Sequence, residues 1–347
     1  MTNSPNNESG EGGQIDSGDA LAPAANAELA NTELKLSATS GVQHIGQRFD
    51  QVAALLFPQY SRSMLQSWIK KGELQLSGKT VKPNVKLSGG ETLTLATVLQ
   101  AEGEWEAENI PLDIVYEDAA VIVINKSAGL VVHPGAGNWN GTLLNALLFL
   151  FPELRQVPRA GIVHRLDKDT SGLMVVARTI EAQNSLVQQL QARSVKRFYQ
   201  AIVRGECGLG SVEDAIGRHP TQRTKMAVLK EGSAGAKEAR THYQNLEQFE
   251  GFTYVELKLD TGRTHQIRVH MAHIGHPLVG DPAYGKRINE QEIKKTPELK
   301  SISDFQRQAL HARRLGFIHP QSGEYCEWQS ELPEDFQSLL ELLRHAF

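Results

Sequence analysis

From Pro111 to the C-terminus, strand-like segments outnumber helix-like ones, and the two kinds do not alternate regularly. "IVYEDAAVIVINKSAGLVVHPG" reads as two or three strands with glycine turns. "RFYQAIVRGE", "THYQNLEQF", "TYVELKLDTG" and "ARRLGFIHP" read as strands. "GTLLNALLFLF" and "EAQNSLVQQLQAR" read as helices, and Phe336, Leu339, Leu340, Leu343 and Phe347 have helical spacing. A doubly wound parallel sheet needs a helix between successive strands. This order instead predicts an α+β fold with a mainly antiparallel central sheet flanked by helices.

The chain divides ahead of that body. Residues 1–45 are expected to be a disordered acidic tail, because Asn, Ser, Gly, Ala and Glu dominate them and too little apolar surface is available to offset chain entropy. Residues 46–98 read as a compact α/β unit. Phe49, Val52, Ala53, Leu55 and Leu56 mark one helix, and Met64, Leu65, Trp68 and Ile69 mark a second that Gly72 would end. "ELQLSGKTV" alternates, turns at Ser77-Gly78, and is followed by the alternating "ETLTL". Seven Lys and Arg face three acids between residues 46 and 95. Taken alone, that excess is equally well a solvated face. The order of two short helices, glycine, hairpin and "Gly-Gly-Glu" resembles the S4 RNA-binding domain, which implies RNA-backbone contacts by Arg62, Lys70, Lys71 and Lys79. Residues 99–110 read as an acidic linker, and 111–347 as the catalytic domain.

Charge and composition exclude several classes. The formal charge is -4, but six acids and one base in the first 40 residues account for -5 of it, leaving the body near +1. The longest apolar run, Leu143 to Phe151, is too short to cross a bilayer. No basic start followed by an apolar stretch marks a secretion signal. Cys207 and Cys326 are far apart and fit no metal-ligand spacing. A reducing, cytoplasmic location and a monomer are the expectations.

Three segments invite chemistry. "HPGAGNWNG" fails the dinucleotide-loop pattern, since Asn140 stands where the third glycine belongs. His265, His270, His273 and His276 lack the spacing and the carboxylate or thiolate company of a metal site, and read as packed or hydrogen-bonded histidines. In "GIVHRLDKDTSGLMVVART" five ionisable residues lie between two strand-like segments. On an extended segment Arg165, Asp167 and Asp169 share a face. Asp167 and Asp169 could hold Mg²⁺, but a neighbouring guanidinium makes a salt-bridged turn the simpler reading, with Arg165 and Asp169 paired. By itself the segment remains open between a structural turn and a reaction centre.

"His-Arg-Leu-Asp-Lys-Asp-Thr-Ser-Gly" closely resembles the signature of the RluA-type pseudouridine synthases, which modify ribosomal and transfer RNA. "Asn-Lys-Ser-Ala-Gly-Leu-Val-Val-His-Pro" (125–134), "Lys-Arg-Phe-Tyr-Gln-Ala-Ile-Val" (196–203), "Gly-Arg-Thr-His-Gln-Ile-Arg-Val-His" (262–270) and "His-Pro-Leu-Val-Gly-Asp-Pro-x-Tyr-Gly" (276–285) follow in the family's order. One departure is Ser127, where the family usually has proline, which slightly loosens a turn. The resemblance implies that Asp167 is the reacting carboxylate, Arg268 its ion-pair partner, Tyr199 the ring that stacks on uracil, and Arg165 the residue that fills the gap left by the flipped base. The S4-like unit, "Arg-His-Pro-Thr" (218–221) and "Arg-Gln-Ala-Leu-His-Ala" (307–312) narrow it to members acting on 23S ribosomal RNA or a large ribosomal subunit precursor, with Arg218 and Arg223 as further RNA contacts. Isomerisation needs neither redox change nor group donor, so no cofactor, no metal and no membrane partner are expected. Three rival readings are a pseudouridine synthase acting on other ribosomal or transfer RNA uridines, an inactive S4-type RNA-binding or ribosome assembly protein, which an absent Asp167, Tyr199 or Arg268 would have favoured, and a nucleotide-dependent oxidoreductase, which the broken glycine pattern disfavours.

Overall fold

Apolar alternation that runs on both phases needs cover on both faces, and the computed structural model supplies it. It describes residues 32–346 apart from 59, 61, 100–104, 136–137 and 223. The N-terminal unit comprises β1 (Thr32–Thr39), α1 (Phe49–Leu56), α2 (Arg62–Lys71), β2 (Leu74–Leu76) and β3 (Thr92–Leu99). Its antiparallel sheet has the order β1-β3-β2, and Phe49, Val52, Leu65, Ile69, Leu74, Leu93 and Leu95 make a core with no exposed surface. Gly72 ends α2 at φ +79, and the hairpin turns through Ser77 and Gly78, both at positive φ, as a two-residue turn of right-handed strand twist requires.

The expected tail needs correction at its end. Thr32–Thr39 is a strand paired with β3 along all eight residues, and Leu34, Leu36 and Ala38 pack against the N-terminal core. The short apolar alternation was diluted by the polar composition of the residues before it. Residues 1–31, where the rest of that expectation falls, lie outside the described residues.

The main body runs β4 (Ile114–Glu117), β5 (Val121–Lys126), α3 (Leu143–Leu150), β6 (Ser171–Ala177), α4 (Ile180–Gln191), β7 (Lys196–Arg204), β8 (Gly210–Val212), β9 (Ile216–Arg218), β10 (Met226–Val228), β11 (Thr241–Phe249) and β12 (Phe252–Leu259). It continues with α5 (Gln266–His273), α6 (Glu290–Lys295), α7 (Leu299–Ser303), β13 (Leu310–Ile318), β14 (Tyr325–Gln329) and α8 (Glu334–Ala346). Nine strands form one sheet in the order β4-β5-β6-β13-β7-β12-β11-β8, with β14 also on β13, while β9 and β10 pair separately. The β6–β13 contact is parallel and the other ladders are antiparallel, as expected from the strand order. On one face Ile122, Ile124, Met174 and Val176 pack with α3 residues Leu143, Leu144 and Leu147. On the other, Val121, Val123, Leu173 and Val175 pack with Ala182 and Leu186 of α4. Each such fully buried aliphatic side chain contributes about 1.5–3 kcal/mol. Further along, α8 covers Ile202 and Phe252 through Phe336, Leu339, Leu340 and Leu343.

The second half of the expected linker is tied to this body. The Asn145 amide donates to Glu106 O (2.8 Å), Arg155 donates to Trp105 O (3.0 Å) and Glu108 N donates to Asn145 O (3.0 Å). Among the described residues no helix is long and apolar enough to cross a membrane.

Candidate active site

The loop between Ile162 and β6 is not extended throughout. Thr170 N donates to Asp167 O (3.1 Å), closing a turn that breaks the alternation of Arg165, Asp167 and Asp169. Arg165 is exposed, and no ion pair joins it to Asp169 among the described residues, so the salt-bridged reading of this segment fails. Main-chain contacts hold the loop instead. Lys126 is buried, and its ammonium donates to Lys168 O (2.9 Å), Leu130 O (2.9 Å) and Ser127 O (2.7 Å). Burial pushes this lysine down to about 7, against the pull of the Asp169 and Asp167 carboxylates. Gly172, at φ +111, lets β6 approach β13, where a Cβ would stand 2.3 Å from Ala312 O.

Arg268 projects from the first turn of α5 and is 6% exposed. Asp281 grips it with two bonds, Nε to Oδ2 (2.7 Å) and Nη2 to Oδ1 (2.8 Å). Its remaining nitrogen, Nη1, donates to Asp167 Oδ2 (2.9 Å). Asp281 is preorganised by its own turn, since Oδ1 also accepts from the backbone N–H of Ala283 and Tyr284. Gly280 at φ +71 permits that turn, with a Cβ position only 2.2 Å from Arg307 O. Burial works against the Asp281 carboxylate, but Arg268 and the two N–H groups hold it below the ordinary range. Burial likewise works against the Arg268 cation, and the two aspartates outweigh it. The Tyr284 ring lies against the same guanidinium at 5.2 Å.

Tyr284 also orients a histidine. Its hydroxyl accepts from Met226 N (2.8 Å) and is hydrogen-bonded to Nδ1 of His265 (2.8 Å). Nε2 of the same imidazole stands 3.8 Å from Asp167 Oδ1. Burial keeps His265 below its ordinary range, opposed by Asp167. The backbone of His265 sits at φ +55, a left-handed conformation uncommon for residues other than glycine. Of the other clustered histidines, two are bonded as expected, His270 to Thr241 Oγ1 and Asp214 O and His276 to Arg204 O, whereas His273 is exposed, 3.6 Å from the Asp214 carboxylate. No group of three or more His, Cys, Asp or Glu able to hold a metal ion occurs among the described residues.

Tyr199 lies on β7, clamped between β12 and β13 by ladder partners Leu257 and Ala312. Burial pushes its phenol up, while Arg197 acts the other way. Asp167, Tyr199, Arg268, Arg165, His265 and Arg197 all line one cavity of about 560 Å³. Three sequence-separated motifs thus converge, as the sequence led one to expect. Asp281 and Tyr284 were visible only as motif letters, and His265 only as one of the packed or hydrogen-bonded histidines.

The surface candidates divide. Lys70, Lys71 and Lys79 are exposed on α2 and the hairpin. Arg62 is instead bound to Asp50 by two nitrogens, at 2.7 and 3.1 Å, bracing α2 against α1. Arg218 ends β9 and is exposed, and Arg223 lies outside the described residues.

Residues 120–273 match the family model described as RNA pseudouridylate synthase. The chain is 55% identical over 300 residues to the ribosomal large subunit pseudouridine synthase D of Pseudomonas aeruginosa, spanning 86% of this chain and 92% of that protein. It is 49% identical over 316 residues to the protein of the same name from Escherichia coli strain K12, spanning 90% and 96%. Among solved structures, the human RNA pseudouridylate synthase domain containing 4 is similar, with a TM-score of 0.53 and 27% identity over 67% of this chain and 93% of that one.

Proposed function

The chain belongs to the RNA pseudouridylate synthase family and is an RNA pseudouridine synthase; from that premise we propose that it isomerises uridine to pseudouridine in 23S ribosomal RNA, at uridines of the helix 69 stem-loop, with Asp167 as the reacting carboxylate. The observation that carries the assignment is an unequal carboxylate. Asp167 Oδ2 is held by Arg268, while no hydrogen bond reaches Oδ1 among the described residues, and the group faces a cavity that also holds Tyr199. A fixed, ionised oxygen with one side open is what attack at C1′ or removal of the C2′ proton requires. Both routes remain compatible with this geometry.

The target uridine leaves its stack to enter the cavity. Tyr199 stacks on the uracil, a contact worth about 1–3 kcal/mol. Arg165, exposed at the cavity, occupies the gap in the RNA. Lys70, Lys71 and Lys79 of the S4-like unit, with Arg218 and Arg223, hold the RNA backbone of the 23S RNA or large-subunit precursor. Arg62 contributes as the brace that sets α2. The enzyme works as a monomer without a cofactor.

The decisive experiment is tritium release from C5-labelled uridine in ribosomal RNA. Asp167→Asn is expected to lose about 10⁴-fold or more in the single-turnover rate. A rate near wild type would remove Asp167 from the reaction. Mapping pseudouridine in RNA from a deletion strain identifies the target uridines.

A further inference from the structure

Arg197 is a buried cation that the pairings above leave almost unused. It is 6% exposed. Its one hydrogen bond among the described residues is a long contact from Nη2 to Asp260 O (3.4 Å), and its buried Nε has no partner. The Asp260 carboxylate is turned to His242 instead (2.9 Å). Gly262 makes room for the guanidinium, since a Cβ there would stand 2.7 Å from Nη1. Burying a guanidinium without a carboxylate is costly unless a ligand supplies the missing negative charge. Five donors in a planar fork suit an anion with carbonyl-type oxygens.

Position says which anion. Arg197 and Tyr199 are two residues apart on β7, hence on one face and about 6.6 Å apart along the strand. Both line the cavity that holds Asp167. A ring lying on Tyr199 is within reach of Arg197. The other wall arginines are committed or exposed: Arg193 pairs with Glu238, Arg268 with two aspartates, Arg263 donates to Glu238 O (3.0 Å), and Arg159 and Arg165 are exposed. The exposed Arg159 and Arg165 on the cavity wall are the cations available to a phosphodiester of the RNA backbone.

We propose that Arg197 is a catalytic residue that binds the detached uracil as its N1-deprotonated anion and holds it while the ring turns to present C5. This rests on the reading of Asp167 above. The C1′–N1 bond breaks with its electron pair remaining on the base, where N1, O2 and O4 share the charge. Asp167 either bonds C1′ or takes the proton from C2′, and the base departs as an anion in both cases. C5 then bonds C1′, as the Asp167–C1′ bond breaks or C2′ regains its proton. The C5 proton is removed, N1 ends protonated, and nothing is oxidised or reduced. Neutral bound uridine needs this cation little and the departing base needs it most, so the interaction grows along the reaction.

The test compares the full-length wild-type chain with Arg197→Gln, Arg197→Lys and Asp167→Asn, using a C5-tritiated large-subunit RNA transcript. Single-turnover rate, RNA Kd with its salt dependence, and melting temperature are measured for each. Arg197→Gln is expected to slow the chemical step by about 10²-fold or more with Kd within about twofold of wild type, and Arg197→Lys to recover part of the rate. A raised Kd and shallower salt slope at an unchanged saturated rate would overturn the proposal in favour of a phosphate contact. Equal losses in the Lys and Gln variants would overturn it too, because charge would then not matter. Should the Gln variant not fold, Arg197→Lys carries the test: a slowed step at unchanged Kd supports the proposal, and a wild-type rate overturns it. If Asp167→Asn is inactive while Arg197→Gln keeps its rate, only this inference fails. If Asp167→Asn keeps its rate, the reading of Asp167 fails.

Discussion

Asp50 in the N-terminal unit and Asp167 in the catalytic loop both meet arginine, and the difference lies in what each carboxylate has left over. The Asp50 side chain has no exposed surface; Oδ1 accepts from Arg48 (2.9 Å), and Oδ2 accepts from Arg62 (2.7 Å) and Gln66 (2.6 Å). Its acceptors are consumed, and the two arginines extend toward solvent. In the catalytic domain the stoichiometry is inverted, with one buried arginine between two aspartates. Asp281 takes two of its nitrogens, so Asp167 receives a single bond and keeps Oδ1 for the cavity. A saturated carboxylate braces helices; a half-satisfied one beside a cavity is available for chemistry.

The largest effect that would break this comparison is on the arginine. Arg268→Met is expected to cut the single-turnover rate by about 10³-fold, because Asp167 loses its anchor and the buried Asp281 carboxylate loses its cation. A wild-type rate at neutral pH would show that the pair is structural, like the one at Asp50. The mirror experiment is Asp50→Asn, expected to cost about 3 kcal/mol of stability by leaving two arginines with a weaker acceptor, with the catalytic rate on bound RNA unchanged. Hydrogen exchange in α1 and α2 of the full chain reads that loss. A slowed chemical step would mean that the two clusters are coupled.

Acid sharpens the contrast. Burial raises Asp50, but Arg62, Arg48 and Gln66 prevail and hold it at about 2, below the ordinary 3.8. A folded-state value below the unfolded one stabilises the ionised form, so the contribution is full above the ordinary value and is lost as pH falls toward 2. Melting of the full chain followed between about pH 5 and pH 2 should show protection of α1 and α2 falling in that window, and Asp50→Asn should flatten that dependence. Last and smallest, Lys70→Ala with Lys71→Ala is expected to weaken RNA binding a few-fold and to lower the salt slope by about 1.5, leaving the rate on bound RNA intact. An unchanged slope would remove these lysines from the RNA contact.

Much of the main body was legible because strand periodicity and turn residues are local. The strands containing Tyr199 and Leu257 and the terminal helix stand where their patterns place them. β1 was not legible, since Leu34, Leu36 and Ala38 are three modest residues within a polar stretch and gain their worth only against β3 and the N-terminal core. Arg165 and Asp169 show the opposite failure. A pairing drawn from alternation dissolved once Thr170 N closed a turn on Asp167 O.

By itself, then, the sequence determined the α+β class, the antiparallel order, and, through its motifs, the three residues Asp167, Tyr199 and Arg268 that meet in one cavity. Tertiary structure alone decided how charge is shared among them. It spent Arg62 on Asp50, gave Arg268 to Asp281 before Asp167, turned Nε2 of His265 toward the open oxygen, and left Arg197 without a carboxylate partner among the described residues. The physical reason is range. Periodicity is written within about ten residues. An ion pair between residues 167 and 268 is a competition among groups 101 positions apart, settled by differences of a few tenths of an ångström in where the folded backbone sets them down.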